Sequence, residues 1–133
     1  MLPLKFITIH ANFVARKNRG VLIFGAPGVG KSHLSHVLVQ KHGYHLIADD
    51  LVLLRHQKKG ILGELPNADY LGLLHLKEKG FVKVTQASSR HAITDVIEIG
   101  NQIGNMDQIK LLNQNFLVPT FIWQVALQYC LKI

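Results

Sequence analysis

The sequence is short of cysteine, of carboxylates and of long apolar runs, and each shortage excludes something. One cysteine, Cys130, in 133 residues rules out an intrachain disulfide and any zinc site built on paired cysteines. A reducing cytoplasm is then the expected compartment. Eight aspartates and glutamates stand against 15 lysines and arginines, a formal net charge of +7, which suits phosphates, nucleic acid or an acidic protein surface. The basic residues are scattered, however. Arg16-Lys17, Arg19, Lys58-Lys59 and Lys77/Lys79 are the only tight groupings and no aromatic residues interleave with them, so nucleic acid is not an expected partner. No stretch supplies the about 20 predominantly apolar residues of a membrane span. The most apolar one, Phe116 to Leu131, is interrupted by Pro119, Thr120, Gln124 and Gln128 and reads as a buried strand followed by a buried helix. Met1 to Ile9 has one lysine and too short an apolar run for a secretory signal. Without repeats or low-complexity linkers, and with 48% apolar against 17% charged residues, residues 1–133 are expected to form one globular domain with one core.

What is present is concentrated in Gly25-Ala26-Pro27-Gly28-Val29-Gly30-Lys31-Ser32, which fits the phosphate-loop pattern G-x-x-x-x-G-K-[ST]. The apolar run Val21 to Phe24 leads into it and a helical pattern leads out, the strand–loop–helix context that the motif requires. The residue types follow from what a polyphosphate needs. Successive backbone N–H groups hold the anion where Gly25, Gly28 and Gly30 allow the backbone to turn and approach closely. Lys31 is placed to reach the β- and γ-phosphates, the Ser32 hydroxyl to ligate Mg²⁺, and the start of the following helix to add partial positive charge.

Along the chain, Leu4 to Val14 reads as one extended run and Arg16 to Gly20 as a hairpin connection into Val21–Phe24. From His33 to His42, Leu34, Val37, Leu38 and Lys41 recur at i, i+3, i+4 and i+7. They predict an amphipathic helix capped by Gly43. Tyr44 to Ala48 is a short strand, and Leu51–Arg55 and Ile61–Leu65 a hairpin about Lys58-Lys59-Gly60, ended by Pro66. Leu71 to Leu76 fits strand or helix. Phe81–Val84, Ile93–Ile99 and Phe116–Trp123 read as strands, Gly100 to Asn105 as a loop and Val125–Leu131 as a helix. Trp123 and Tyr129 are expected in the core, and His75 and Lys77 on one strand face. His33 and His36, at i and i+3 without a third ligand, are expected at the surface or half-buried rather than on a metal.

Asp49-Asp50 closes the strand that follows the loop and helix. In open α/β sheets, ligands lie beyond the carboxyl ends of the strands, so loop and acidic pair are expected to face one site. Transfer from MgATP needs charge neutralisation, in-line placement and often a carboxylate to take the acceptor's proton. Two adjacent aspartates divide those tasks only if the chain turns between them, since neighbours in a straight strand point to opposite faces.

Ile9-His10-Ala11, the run Gly20 to Ser32, the helix ending at Gly43 and Leu46-Ile47-Ala48-Asp49-Asp50-Leu51-Val52-Leu53-Leu54 resemble the catalytic domain of the HPr kinase/phosphorylase family. The resemblance is specific from His10 to Arg55 and thinner to about Val84. It implies an α/β P-loop domain with a mixed sheet, similar to the phosphoenolpyruvate carboxykinase-like fold. It further implies phosphorylation of a serine on the phosphocarrier protein HPr with ATP and Mg²⁺, and in many members the reverse phosphorolysis. On this chain the implied catalytic residues are Asp49, Asp50 and His10, with the base left open between the two aspartates. The implied nucleotide-binding residues run from Gly25 through Ser32 to His33, and the implied metal ligands are Ser32 and Asp49. Family members resemble hexamers, so a homo-oligomer is an expectation, and the length resembles short stand-alone forms.

Four departures bear on activity. His33 stands where the family usually has an acidic residue, and in the second signature, Glu-x-Arg-Gly-x-Gly, His75 stands for the Glu, Lys77 for the Arg and Glu78 for a Gly. A missing carboxylate removes a hard oxygen ligand, and lysine keeps the charge of arginine without its bidentate fork. Two other functions therefore compete. One is a non-catalytic nucleotide-binding regulatory module. The other is a small-molecule kinase, disfavoured because such enzymes carry arginine-bearing lids and the only arginines here are Arg16, Arg19, Arg55 and Arg90.

Overall fold

A computed structural model describes residues 6–101 and 106–133, so most of the expected loop Gly100 to Asn105 lies outside the described residues. The elements are β1 (Phe6–Ile9), β2 (Asn12–Arg16), β3 (Arg19–Gly25), α1 (Lys31–Lys41), β4 (His45–Ala48), β5 (Val52–Gln57), β6 (Gly60–Glu64), a 3-10 turn (Ala68–Tyr70), β7 (Leu73–Leu76), β8 (Gly80–Lys83), β9 (Arg90–Ala92), β10 (Asp95–Ile99), β11 (Met106–Leu111), β12 (Gln114–Phe121) and α2 (Trp123–Lys132). No helix among them is long and apolar enough to cross a membrane.

A mixed six-stranded sheet, β11-β12-β10-β3-β2-β4, forms the centre. β10 runs parallel to β3 and β12, while β2 is antiparallel to β3 and β4. β3 and β4 therefore run the same way with β2 between them, and their carboxyl ends emerge on the same edge. Alternation decides which residues face which layer. Val14, Val21, Ile23 and Ile97 point to the side covered by α1, α2 and the β7–β8 hairpin. Phe13, Ala15, Leu22 and Val96 point to the other side. That second side is covered by an antiparallel sheet, β1-β5-β6-β9.

The expected single run Leu4 to Val14, whose first two residues lie outside the described ones, is from Phe6 onward two strands in two sheets. β1 pairs with β5 and β2 with β3 and β4, separated by a bend at His10. β1 is half exposed and covers one face, whereas Asn12 to Ala15 are buried; the chain has to change layers between them. α1 begins two residues earlier than expected and buries Leu34, Ser35, Leu38 and Val39 rather than a stripe through Val37 and Lys41. Its end has His42 as C-cap with Gly43 following at φ 73°, the left-handed turn that glycine accepts without penalty. Leu71–Leu76 resolves as strand β7. Lys77 lies in the turn beyond it, so it shares no strand face with His75.

The tail also departs from expectation. β12 ends at Phe121, and Trp123 opens α2 instead of closing the strand. α2 is half-buried, with Ala126 and Cys130 its buried residues, because it packs on one side of the sheet and leaves its other face to solvent. It is firmly tied nonetheless. The Tyr44 hydroxyl donates to the Cys130 carbonyl at 2.5 Å, and Tyr129 donates to Asp95 at 3.0 Å. Arg16 donates to carbonyls at the ends of both helices, His42 at 3.0 Å and Cys130 at 3.2 Å, while lying 4.6 Å over the Tyr44 ring. A cation at two helix C-termini is electrostatically favourable.

Candidate functional site

The glycine loop leaves the carboxyl end of β3 and Asp49-Asp50 leaves that of β4, so the parallel course of those strands brings both to one cleft. Its volume is about 1200 Å³. Pro27, Gly28, Gly30, Lys31, Ser32 and His33 form one wall, Asn12, Asp49 and Asp50 the floor, and Tyr70, Leu73, His75 and Phe81 the opposite wall. Loop and acidic pair face one site as expected. Gly28 and Gly30 have φ of 85° and 105°, a region that side-chain-bearing residues rarely adopt. Gly30 is the N-cap of α1 without a side-chain cap bond, leaving first-turn N–H groups directed at the cleft end. The Lys31 ammonium folds back onto its own loop, donating to Gly25 O at 2.7 Å and Ala26 O at 3.3 Å.

Asp49 is the most heavily oriented side chain of the cleft. Its Oδ1 accepts from the Ser32 hydroxyl at 2.6 Å and from the Asn12 amide at 2.7 Å. Its Oδ2 accepts the His75 backbone N–H at 3.0 Å. The chain turns at once: Asp50 has φ 70°, and the Leu51 N–H returns to the Asp49 carbonyl at 2.9 Å. This left-handed residue is the turn between the two aspartates, and both line the cleft. Backbone strain of this kind is held only where surroundings enforce it. Asn12 Oδ1 accepts the Asp50 N–H at 3.2 Å, and the Asp50 carbonyl accepts the Ala11 N–H at 3.2 Å.

His10 stands at the bend before β2, its Nδ1 3.9 Å from Asp50 Oδ1, both side chains more than three-quarters exposed. It meets the acidic pair from outside the cleft. Histidine also lines the loop wall. His33 is exposed and stacks on Trp123 at 4.7 Å between ring centroids. His36, behind it, is half-buried, and its pKa is lowered by burial first and then by Lys79 and His33. On the far wall the exposed His75 packs edge-on against Phe81 at 4.9 Å, so it reaches Asp49 through its backbone while its imidazole is turned to an aromatic neighbour.

Two participants were not legible as site residues. Asn12 is 1% exposed inside an apolar strand, and a buried amide demands partners; its position in Ala11-Asn12-Phe13-Val14 was the available signal. Trp123 packs half-buried against the core, as expected, but its Nε1 also donates to Gly30 O at 3.1 Å. Nothing in the local sequence connects residue 123 to residue 30.

Among the described residues no three of His, Cys, Asp and Glu converge on one point. Two protein oxygens beside the loop suit a hard divalent cation, the Ser32 hydroxyl and the Asp49 carboxylate, both lining the cleft. Their 2.6 Å contact puts both within reach of one ion, and a carboxylate, a hydroxyl and ligand oxygens are a donor set that Mg²⁺ accepts.

Comparison with known proteins bears on the whole arrangement. Residues 4–113 match the family described as HPr Serine kinase C-terminal domain. Similar curated proteins include HPr kinase/phosphorylase of Lactobacillus johnsonii, 37% identical over 93 residues, covering 69% of this chain and 28% of that protein. Another is HPr kinase/phosphorylase of Malacoplasma penetrans, 26% identical over 110 residues, covering 76% and 36%. The chain thus matches about a third of the length of these relatives. Among solved structures, the Hpr(Ser) kinase/phosphatase from Coxiella burnetii superposes with a TM-score of 0.80 at 22% identity, covering 95% of this chain and 97% of that one. The fold expected from the sequence, mixed α/β with a mixed sheet of the phosphoenolpyruvate carboxykinase-like type, is the fold observed. With most of its length matched by that family, this chain belongs to the HPr serine kinase C-terminal domain family.

Proposed function

We propose that the chain is an ATP- and Mg²⁺-dependent phosphotransferase whose acceptor is a serine on HPr or a related protein. The observation that carries this reading is the 2.6 Å bond from the loop's Ser32 hydroxyl to Asp49, which makes the motif and the acidic pair one site. In the proposed scheme the main-chain N–H groups of residues 25–32 hold the phosphates, with His33 at the rim. Lys31 exchanges its carbonyl partners for β- and γ-oxygens, a trade favoured by full opposite charge. Ser32 and Asp49 would hold a Mg²⁺, which when bound would neutralise charge that builds on the transferring oxygens. Asp49 or Asp50 takes the acceptor hydroxyl's proton as that oxygen bonds to the γ-phosphorus and the bond to the ADP oxygen breaks. His10, beside Asp50, orients that carboxylate or shares its proton. One domain working in the cytoplasm, assembled as a homo-oligomer, fits this role.

A specific observation favours a second reading, a non-catalytic nucleotide-binding module: the His75 ring packs on Phe81 at a position where the family pattern has a carboxylate. Incubation with γ-labelled ATP, Mg²⁺ and HPr from the same host separates the two. Label on HPr that disappears in Lys31→Ala is the expected result; MgATP binding that depends on Lys31 with no label transferred supports the module instead, and transfer untouched by Lys31→Ala contradicts both.

A further inference from the structure

The Gly30 carbonyl accepts two hydrogen bonds. One, from Leu34 N–H at 2.9 Å, is the first bond of α1. The other comes from the Trp123 indole at 3.1 Å, across 93 residues of sequence. A carbonyl has two lone pairs, so both are used. In a trans peptide the following N–H points opposite to the carbonyl. Fixing Gly30 C=O toward α1 and Trp123 therefore fixes the Lys31 N–H in the reverse direction, out of the helix end and toward the cleft. The indole is also in close contact with this residue, since a Cβ placed on Gly30 would come within 2.9 Å of Trp123 Cδ1. Beyond it the ring lies nearly parallel to His33, 17° between planes.

These three contacts come from a residue that opens α2, and α2 is held at its other end by the Tyr129–Asp95 and Tyr44–Cys130 bonds. The indole is thus a strut between an anchored helix and the turn from loop to α1. We infer that Trp123 is a positioning residue for the phosphate loop: it holds the Gly30–Lys31 peptide in the orientation that presents the Lys31 N–H to a polyphosphate, with His33 stacked as its lateral support. The inference rests on the nucleotide-site reading above and names the group that sets the loop's geometry from outside it.

Trp123 is the only tryptophan in the sequence, so its emission reports on this contact without labels. Magnesium pyrophosphate and MgATP are titrated into the wild-type protein, read by calorimetry and by emission together. Both ligands should change the emission, with midpoints that agree with the calorimetric Kd. Trp123→Phe keeps an aromatic ring on His33 and deletes the N–H; the Gly30–Lys31 peptide is then free to turn away in the unliganded loop, and re-orienting it on binding, at a cost bounded by one net hydrogen bond, weakens binding about 2- to 12-fold, equally for the two ligands because the effect lies at the phosphates. Leu127→Ala, in the same helix and packed on the core, is the structural control and should lower Tm while leaving both Kd values as in wild type. Binding by Trp123→Phe as tight as wild type, an emission unmoved at saturation, or weakening by Leu127→Ala equal to that of Trp123→Phe overturns the inference. Wild-type protein that binds neither ligand overturns the nucleotide-site reading itself, and this inference with it.

Discussion

Replacing Asn12 with alanine should be costly to both stability and nucleotide binding. The side chain is 1% exposed and makes three hydrogen bonds: donated to Asp49 at 2.7 Å and Ser35 at 3.1 Å, and accepted from the Asp50 N–H at 3.2 Å. Neutral bonds contribute about 0.5–1.5 kcal/mol net and one to a charged carboxylate about 1.5–3. Some of this is recovered, because Asp49 is half-exposed and retains Ser32 and His75 as donors. Urea unfolding should accordingly show a loss of about 2–4 kcal/mol. Calorimetry should show weaker MgATP binding, since the carboxylate that faces Ser32 loses one of its three orienting bonds. Asn12→Asp is the sharper variant. It places a second carboxylate at 2.7 Å from the first, replacing a charge-assisted bond with like-charge repulsion. At pH 7 it should therefore lose more stability than Asn12→Ala in the same urea unfolding measurement. A loss under about 0.5 kcal/mol in Asn12→Ala, with MgATP binding unchanged, would refute the role given to this amide.

Two further predictions concern the scaffold. Gly63 lies against Phe13, where an added Cβ would meet Phe13 Cε2 at 2.5 Å; Gly63→Ala should destabilise by about 1–3 kcal/mol from overpacking, and Phe13→Leu in the same chain should recover part of it, measured by chemical denaturation of all three variants. Burial raises Cys130, Tyr44 and Tyr129 to about 12. These groups keep their protons in the folded state while the unfolded chain loses them from about pH 9–10, so stability should fall as pH rises from about 9 toward 12. The Cys130 thiol should resist alkylation at pH 8 and react once the chain is unfolded in urea; an alkaline profile that stays flat would contradict the burial.

Much of the central fold was legible because its signals are local. The loop's glycines, Lys31 and Ser32 sit between an apolar strand and a helix, and Gly43 marks the end of that helix through its own backbone conformation. The hairpin about Lys58-Lys59-Gly60 announced itself in the same way, with Gly60 at φ 106°. The misses are tertiary. β1 and β2 read as one run because both are apolar, and only the second sheet shows why the chain bends at His10. The strands β9 and β11 went unseen: Arg90-His91-Ala92 is three residues held by pairing to β6, and Met106 to Leu111 is mostly exposed at a sheet edge, so neither carries an apolar pattern. At the site, the acidic pair was readable as sequence, but the left-handed turn at Asp50 was not. Nor were the buried amide that holds Asp49 and the distant indole that bonds to Gly30.

The claim that Ser32 and Asp49 act on one bound group is tested most directly by a double-mutant cycle. MgATP affinity is measured by calorimetry for wild type, Ser32→Ala, Asp49→Asn and the double variant. If both hold the same ion, the second substitution removes little that the first has not already removed, and the coupling should reach at least about 1 kcal/mol. Effects that add within about 0.3 kcal/mol would mean that the two side chains act independently, and the single-site account would be wrong.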